Sequence, residues 1–284
     1  MKILLFGGSG RLGTAMRKAW AGRYDIVAPG QGDVLWTQSG LRTFIAEVKP
    51  DFIINTAAYN NVDGAEGDGR DTAFQVNGEL PGLMAEAAKE FKVPFLHFST
   101  DYVFAGDNQA GYIETDTPNP ISVYGQSKLA GERLVLQAYP EGAYVVRTSR
   151  LYGDRGSDAD AKKSFIEIIV DELKTKPSFE VNDFEVSAPT SVPELVDHID
   201  KHILQARPEP GIYHMSNEGG ATWMGWAMEI RDQLGYTNQL SPRDPKLAVR
   251  PAQRPAYSVL KSTKLPSMLP WRDALRNYLE LWPR

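Results

Sequence analysis

Residues 2–13 read Lys2-Ile3-Leu4-Leu5-Phe6-Gly7-Gly8-Ser9-Gly10-Arg11-Leu12-Gly13. Ile3 to Phe6 make a short, continuous apolar run of the kind a doubly covered strand requires. Leu12, Ala15, Met16 and Ala19 then recur on one helical face. Gly7, Gly10 and Gly13 stand between and within the two, three residues apart. A strand, a glycine-spaced turn and a helix make the phosphate-binding unit of dinucleotide folds. One glycine permits the sharp turn, one lets backbone approach a pyrophosphate, and one lets the helix pack on the strand. The helix N-terminus then offers free N–H groups and the positive end of its dipole to the anion.

Outward from this unit, apolar runs alternate with helical patterns. Strands are expected at Ile26–Ala28, Phe52–Ile54, Phe95–Phe98 and Tyr144–Val146. Helices are expected over Leu41–Val48, ended by Pro50, and over 72–91, with Ala73, Val76, Leu80, Leu83, Met84, Ala87 and Ala88 inward. Such alternation predicts right-handed crossovers and an α/β fold: a Rossmann-type, doubly wound parallel sheet. From about residue 150 the pattern changes. Helices near 162–175, 192–205 and 222–234 are joined by Pro- and Gly-bearing loops. Pro242, Pro245, Pro251 and Pro255 mark an irregular stretch, and Trp271–Trp282 reads as a last amphipathic helix. The organisation expected is a dinucleotide-binding domain over 1–150, with returning segments from the C-terminal half. Residues 151–284 form mainly a smaller substrate-binding lobe, with a cleft between the two parts.

The chain has 284 residues, 42% hydrophobic and 24% charged, which suits a globular domain able to bury a large core. The absence of cysteine excludes disulfides and thiolate metal sites. With 31 basic and 36 acidic residues and net charge −5, and no basic run, nucleic-acid binding is not expected. No segment has the length of a membrane span or a signal-peptide core, so the expected location is the cytoplasm.

Tyr124 and Lys128 are spaced i, i+4 at the start of a helical stretch, so they share a face. A neighbouring ammonium favours the phenolate and makes tyrosine a more useful acid. Thr100, ending the strand at 95–99, is the candidate third group, polarising the carbonyl to be reduced. His198 and His202 share a helical spacing but lack the acidic partner of a zinc helix, so no metal is expected. The end of the second strand, Ala28-Pro29-Gly30-Gln31, carries no acid to repel a ribose 2′-phosphate, and Arg11 stands in the glycine loop to attract one. NADP(H) is therefore favoured, with NAD(H) allowed.

Several strings resemble those of the extended short-chain dehydrogenases, and more narrowly the dTDP-4-dehydrorhamnose reductase family. They are Gly7–Gly13, Asn55-Thr56-Ala57-Ala58-Tyr59, Val76-Asn77, Ser99-Thr100-Asp101-Tyr102-Val103-Phe104 and Ser122-Val123-Tyr124-Gly125-Gln126-Ser127-Lys128, continuing to Arg254–Leu260. The resemblance implies hydride transfer to a keto carbon of a nucleotide sugar, with Thr100, Tyr124 and Lys128 as the catalytic triad. Cofactor contacts are implied at Gly7, Gly10, Arg11, Leu12, Gly13, Asp33, Val34, Ala57, Ala58, Tyr59, Tyr124 and Lys128. Substrate contacts are implied at Asp101, Tyr102, Arg150, Trp223 and Arg254. A homodimer is the expectation by analogy. Three departures fall on the substrate side: Arg150 where the family has tryptophan, Asn60 where it has threonine, and Phe184–Thr190 in place of an Asp-Gln-x-Gly-Ser-Pro-Thr loop. Arg150 either offers its donors to a substrate more polar than dTDP-4-dehydrorhamnose or pairs with Asp154 or Glu185. Two alternatives stay open. One is a nucleotide-sugar epimerase or dehydratase of the same superfamily; the related dehydratases carry Asp-Glu after the threonine, where this chain has Asp101-Tyr102. A non-catalytic NADP-binding regulatory subunit, of the kind that serves methionine adenosyltransferase, would not need the Tyr124–Lys128 pair.

Overall fold

The computed structural model describes residues 1–30, 32–157, 161–247 and 249–282. Gln31, part of the acid-free turn noted above, lies outside them. The chain runs β1 (Lys2–Phe6), α1 (Arg11–Ala19), β2 (Asp25–Val27), α2 (Gln38–Val48), β3 (Phe52–Asn55), α3 (Arg70–Phe74), α4 (Leu80–Glu90), β4 (Phe95–Thr100), α5 (Val123–Ala138) and β5 (Ala143–Thr148). It continues β6 (Leu151–Tyr152), α6 (Phe165–Thr175), β7 (Ser178–Val181), β8 (Thr190–Ser191), α7 (Val192–Ile199), β9 (Gly211–His214), α8 (Trp223–Gln233), β10 (Gln239–Pro242) and α9 (Trp271–Glu280).

Six strands form one parallel sheet in the order β2-β1-β3-β4-β5-β9. Alternate side chains of its strands feed opposite faces. Ile3, Leu5, Ile54 and Phe98 pack with Leu12 and Met16 of α1 and Leu195 and Ile199 of α7. Leu4, Phe6, Ile53 and Val145 pack with Leu41 and Ile45 of α2, Met84 and Ala88 of α4, and Val135 of α5. Both faces are therefore dry, as the unbroken apolar runs of β1 and β3 require. The chain leaves β1 toward β2 and returns to the other side at β3, so the order reverses between β1 and β3. Ligand crevices in such sheets open at that point, beyond the carboxyl ends of the strands.

A third cluster holds the smaller lobe: Ile166 and Val170 of α6, Trp226 and Ile230 of α8, Trp271 and Leu275 of α9, all around Tyr152. The helices start on recognisable signals. Ser164 and Glu167 close a capping box on α6, and the Thr222 side chain caps α8. Two short parallel pairs, β10 with β7 and β6 with β8, complete this part.

The structure departs from expectation at four places. The last sheet strand, β9, is drawn from the C-terminal half, between Pro208, Pro210 and the loop beyond; at four residues it is too short to stand out by periodicity. Residues 239–242 form β10 within the stretch expected to be irregular, with Pro242 confined to its last position. The helix expected over 72–91 contains a π-helical turn at Gln75–Glu79, which changes its phase: Asn77 is fully buried and Val76 only half-buried. The helix expected over 192–205 likewise passes into a π-helical turn, Asp200–Gln205. No helix among the described residues is long and apolar enough to cross a membrane.

Gly13 faces Gly7 so closely that a Cβ there would stand 2.3 Å from the Gly7 carbonyl oxygen. Backbone on both sides leaves no flexible atom to yield. Gly13→Ala is expected to cost about 1–3 kcal/mol through overpacking and to shift α1 away from β1. Urea denaturation checks the first effect and nicotinamide-dinucleotide titration the second. Unchanged stability and binding would mean that the approach of helix to strand is not limiting.

Candidate active site

The glycine loop is built as the sequence suggested. Gly7 has φ +77°, and a Cβ on it would lie 2.5 Å from Ala57 N. The Gly10 N–H donates to Gly7 O at 3.1 Å. Gly10 begins α1 with no side-chain cap and no acid in the first turn, so no side chain claims the N–H groups there. Thr56 Oγ1 donates to Gly7 O at 3.0 Å and joins the loop to the chain after β3. These features fit a dinucleotide diphosphate. Ser99 Oγ and Thr148 Oγ1, buried at the ends of β4 and β5, have no partner among the described residues and are further groups free to meet a ligand.

Asn55 to Tyr59 is held from below. Asn55 Oδ1 accepts from Ala57 N at 3.0 Å, and Asn55 Nδ2 meets His97 Nδ1 at 3.2 Å. Asn77, brought inward by the π turn, accepts from Tyr59 N at 2.8 Å, donates to Tyr59 O at 3.0 Å, and donates to Ser127 Oγ at 3.1 Å. One amide therefore links the expected cofactor strip to the helix that carries Tyr124 and Lys128. In the sequence Asn77 stands out only as part of the Val76-Asn77 string, because a regular helix puts Val76 inward and only the π turn brings Asn77 there.

Tyr124 and Lys128 sit on the first turns of α5, whose N-cap Ser122 accepts from Gly125 N. The Tyr124 ring is edge-on to Tyr102, with centroids 5.8 Å apart. Burial raises the Tyr124 phenol above its usual range, and the Asp101 charge adds to this, while the Thr100 hydroxyl acts against both. Lys128 does not reach Tyr124 here: its Nζ donates to Phe98 O at 2.5 Å. Burial lowers the Lys128 ammonium from its ordinary 10.5 to about 8, with Glu132 opposing. In this arrangement the ammonium is held by a strand carbonyl and not by the phenol.

Several expected ligand contacts are turned toward protein. Asp101 is buried, and its oxygens accept from Thr100, Ser187 and Ser258. Arg11 donates to the carbonyls of Gly153, Asp154 and Lys162, so its guanidinium is engaged by the chain after β6. Arg254 makes a two-pronged pair with Asp63, both contacts 2.9 Å. Asp33 is exposed and caps the Gly30 N–H at 2.7 Å, and Val34 is buried in the core. The His198 and His202 rings lie tilted to each other with centroids 4.3 Å apart, and no group of three metal-ligating side chains occurs among the described residues.

Arg150 has φ +40° and donates to Ala221 O at 2.7 Å and Glu185 O at 2.9 Å. Its guanidinium lies 4.1 Å from the centre of the Trp223 ring. Arg150 meets Glu185 through the carbonyl, and Asp154 pairs with Lys18 instead. Trp223 Nε1 donates to Glu185 Oε2 at 2.9 Å, so the indole is fixed from both sides. Beside it a groove of about 580 Å³ is lined by Phe165, Phe179, Trp223, Arg243 and Arg250. Arg250 pairs with Glu185 and also borders a smaller hollow with Arg254.

Residues 1–282 match the family described as RmlD substrate binding domain. The chain belongs to this family. It is 35% identical to a dTDP-4-dehydrorhamnose reductase of Streptomyces griseus, over 96% of this chain and 91% of that one. Among solved structures, a dTDP-4-dehydrorhamnose reductase of Clostridium acetobutylicum superposes with TM-score 0.90 at 32% identity, covering 99% of each chain. The reductase of Bacillus anthracis in complex with NADP superposes with TM-score 0.90 at 29% identity, covering 98% of each. The match runs through both the sheet and the smaller lobe, and the chain is an extended short-chain dehydrogenase in fold and family.

Lys128 gives the site a pH signature. The unfolded chain keeps a proton on this amine up to about its ordinary 10.5, the folded chain only up to about 8. Between these values unfolding takes up a proton, so stability rises with pH through that window. Lys128→Met removes the dependence. Its stability relative to wild type is expected to be highest below pH 8 and to fall steadily toward 10.5. Urea denaturation across that range checks it; a difference independent of pH would place the lysine's titration elsewhere.

Proposed function

We propose that this protein is an NADPH-dependent reductase of a 4-keto nucleotide sugar, with dTDP-4-dehydrorhamnose as the compound to test first. One observation carries the reading. Tyr124 and Lys128 lie one turn apart at the start of α5, with the Tyr124 phenol near the Thr100 hydroxyl at the carboxyl end of β4. When bound, the reduced dinucleotide supplies the hydride. Tyr124 gives a proton to the carbonyl oxygen. Lys128 stands one turn further on, able to leave the Phe98 carbonyl for a ribose hydroxyl or the phenol. The uncapped N-terminus of α1 holds the diphosphate, and Asn55 to Tyr59 line the crevice beside it.

The reading divides the chain at about residue 150, with the cofactor before it and the sugar nucleotide mainly after it. Trp223, packed between Arg150 and the Phe165 and Trp226 rings, puts an aromatic side chain in the groove lining although position 150 is arginine. That supports a substrate of the usual family kind over a more polar one. Arg243, in the lining of the groove, supplies positive charge for a nucleoside diphosphate. A cytoplasmic, homodimeric enzyme of carbohydrate biosynthesis is the setting that accompanies this reading.

Tyr124→Phe tests it. Turnover of NADPH with dTDP-4-dehydrorhamnose is expected to fall about 10²–10⁴-fold, with NADPH affinity nearly unchanged because only a hydroxyl is removed. Absorbance of NADPH measures the first and fluorescence titration the second. A wild-type protein that binds NADPH but reduces none of a panel of 4-keto nucleotide sugars would favour the non-catalytic binding module. A Phe variant as active as wild type would remove Tyr124 as the proton donor.

A further inference from the structure

Helix α1 carries three cations, Arg11, Arg17 and Lys18. Two are engaged by the chain after β6. Arg11 is held by the carbonyls of Gly153, Asp154 and Lys162, and Lys18 by the Asp154 carboxylate at 3.1 Å. Arg17 is exposed and joins no ion pair among the described residues. It stands in the last turn of α1, where the helix dipole favours a cation whatever else it does. Its side chain nevertheless leans back along the helix, as helical side chains do, and brings Nη1 to 3.5 Å from Gly8 O in the glycine loop. That contact is long for a hydrogen bond and leaves most of the guanidinium's donors unused.

Gly8 makes the room for this. A Cβ there would lie 2.7 Å from Ala28 Cβ and 3.5 Å from Arg17 Cδ. The Arg17 stem, the bare Gly8 backbone and the Ala28 methyl therefore meet at one spot. Ala28 directly follows β2. The end of the second strand is where a dinucleotide fold receives the 2′ position of the adenosine ribose. Ala28, Pro29 and Gly30 bring no side chain there that can hold or repel a phosphate. The next acid along the chain, Asp33, has a carboxylate oxygen turned onto Gly30 N at 2.7 Å.

We propose that Arg17 is the contact for the 2′-phosphate of NADPH and the residue that sets the preference for NADPH over NADH. The inference deepens the cofactor part of the reading above and gives to Arg17 the part expected of Arg11. It holds whether the protein reduces a sugar or only binds the dinucleotide. A guanidinium suits the task, since it stays charged across the working range and its fork matches two phosphate oxygens. Toward NADH the same group meets a neutral ribose hydroxyl, which offers it an uncharged acceptor and a weaker bond. The gain is therefore confined to the phosphorylated cofactor.

Arg17→Met keeps an apolar stem over Gly8 and removes the charge. Methionine and arginine are equally good helix formers, so the fold is expected to be retained; urea denaturation checks it. Fluorescence titration of the wild type is expected to show tighter binding of NADPH than of NADH. In Arg17→Met the Kd for NADPH is expected to rise about 10–100-fold, the size of a lost hydrogen bond to a charged group, with the Kd for NADH nearly unchanged. Adenosine 2′,5′-bisphosphate, which carries the phosphate without the nicotinamide, is expected to lose affinity in parallel, and 5′-AMP to lose none. Arg17→Lys is expected to recover part of the NADPH affinity through charge without the fork. If Arg17→Met does not fold, Arg17→Ala makes the same comparison with the best helix former. Equal weakening of both dinucleotides, an unchanged Kd for NADPH, or a selective loss in Arg11→Ala in its place overturns the proposal. So does a wild type that prefers NADH, which would give the ribose to Asp33. A wild type that binds neither dinucleotide removes the cofactor reading and this inference together, whereas an NADPH preference that survives Arg17→Met removes this inference alone.

Discussion

The arrangement of the site depends on the Asn77 side chain. A carboxamide has two donors and two acceptor positions, and this one is shut away from water. It satisfies itself by bonding both backbone groups of Tyr59 and the hydroxyl of Ser127. In so doing it fixes the spacing between the stretch after β3 and the helix bearing Tyr124 and Lys128. The π turn is the means: one extra residue in the helical turn rotates Asn77 inward, where a regular helix would have buried Val76. An unpaired amide in that position would cost about 1–3 kcal/mol, which makes any other spacing of the two segments unfavourable.

A second buried contact keeps α5 on the sheet. Glu132, one turn beyond Lys128, and Arg147 of β5 form a two-pronged pair with contacts of 2.8 and 2.6 Å, both side chains at most 2% exposed. His214 of β9 approaches the same guanidinium at 3.4 Å, and Phe104 lies under it. Removing one partner of such a pair strands a charge in the core, at about 3–5 kcal/mol. The pair therefore does more to set where α5 sits than to stabilise the fold as a whole.

The sheet was legible because β1, β3, β4 and β5 are covered on both faces and must be apolar throughout, and because Gly7 and Gly13 have no substitute at their positions. Tyr124 and Lys128 were legible from spacing, because a helix converts i, i+4 into one face. Less was legible where a side chain's meaning depends on residues distant in sequence. Arg150 reads equally well as a ligand group or as a tie to an acid, Arg11 and Arg254 read as ligand groups, and only the fold brings Gly153, Asp63 and Ala221 to them. Ser187 and Ser258 carried no signal, since a serine matters only when a buried carboxylate is opposite. The strand β9 was hidden for a related reason: an edge strand of four residues is defined by its neighbour β5 more than by its own pattern.

The position of β9 has a consequence for how the molecule assembles. Strands β1 to β5 follow one another in the sheet's own assembly, with no partner drawn from beyond residue 148, and can pair in the order in which they are made. The free edge of β5 must wait for residues 211–214, more than sixty positions later. During that interval a ladder of unsatisfied N–H and C=O groups, flanked by the apolar side chains of Tyr144 and Val146, is open to any extended segment. The nascent protein passes through a stage in which its cofactor-binding half is nearly complete yet adhesive, and closure of the sheet coincides with the arrival of the segment that leads into the smaller lobe.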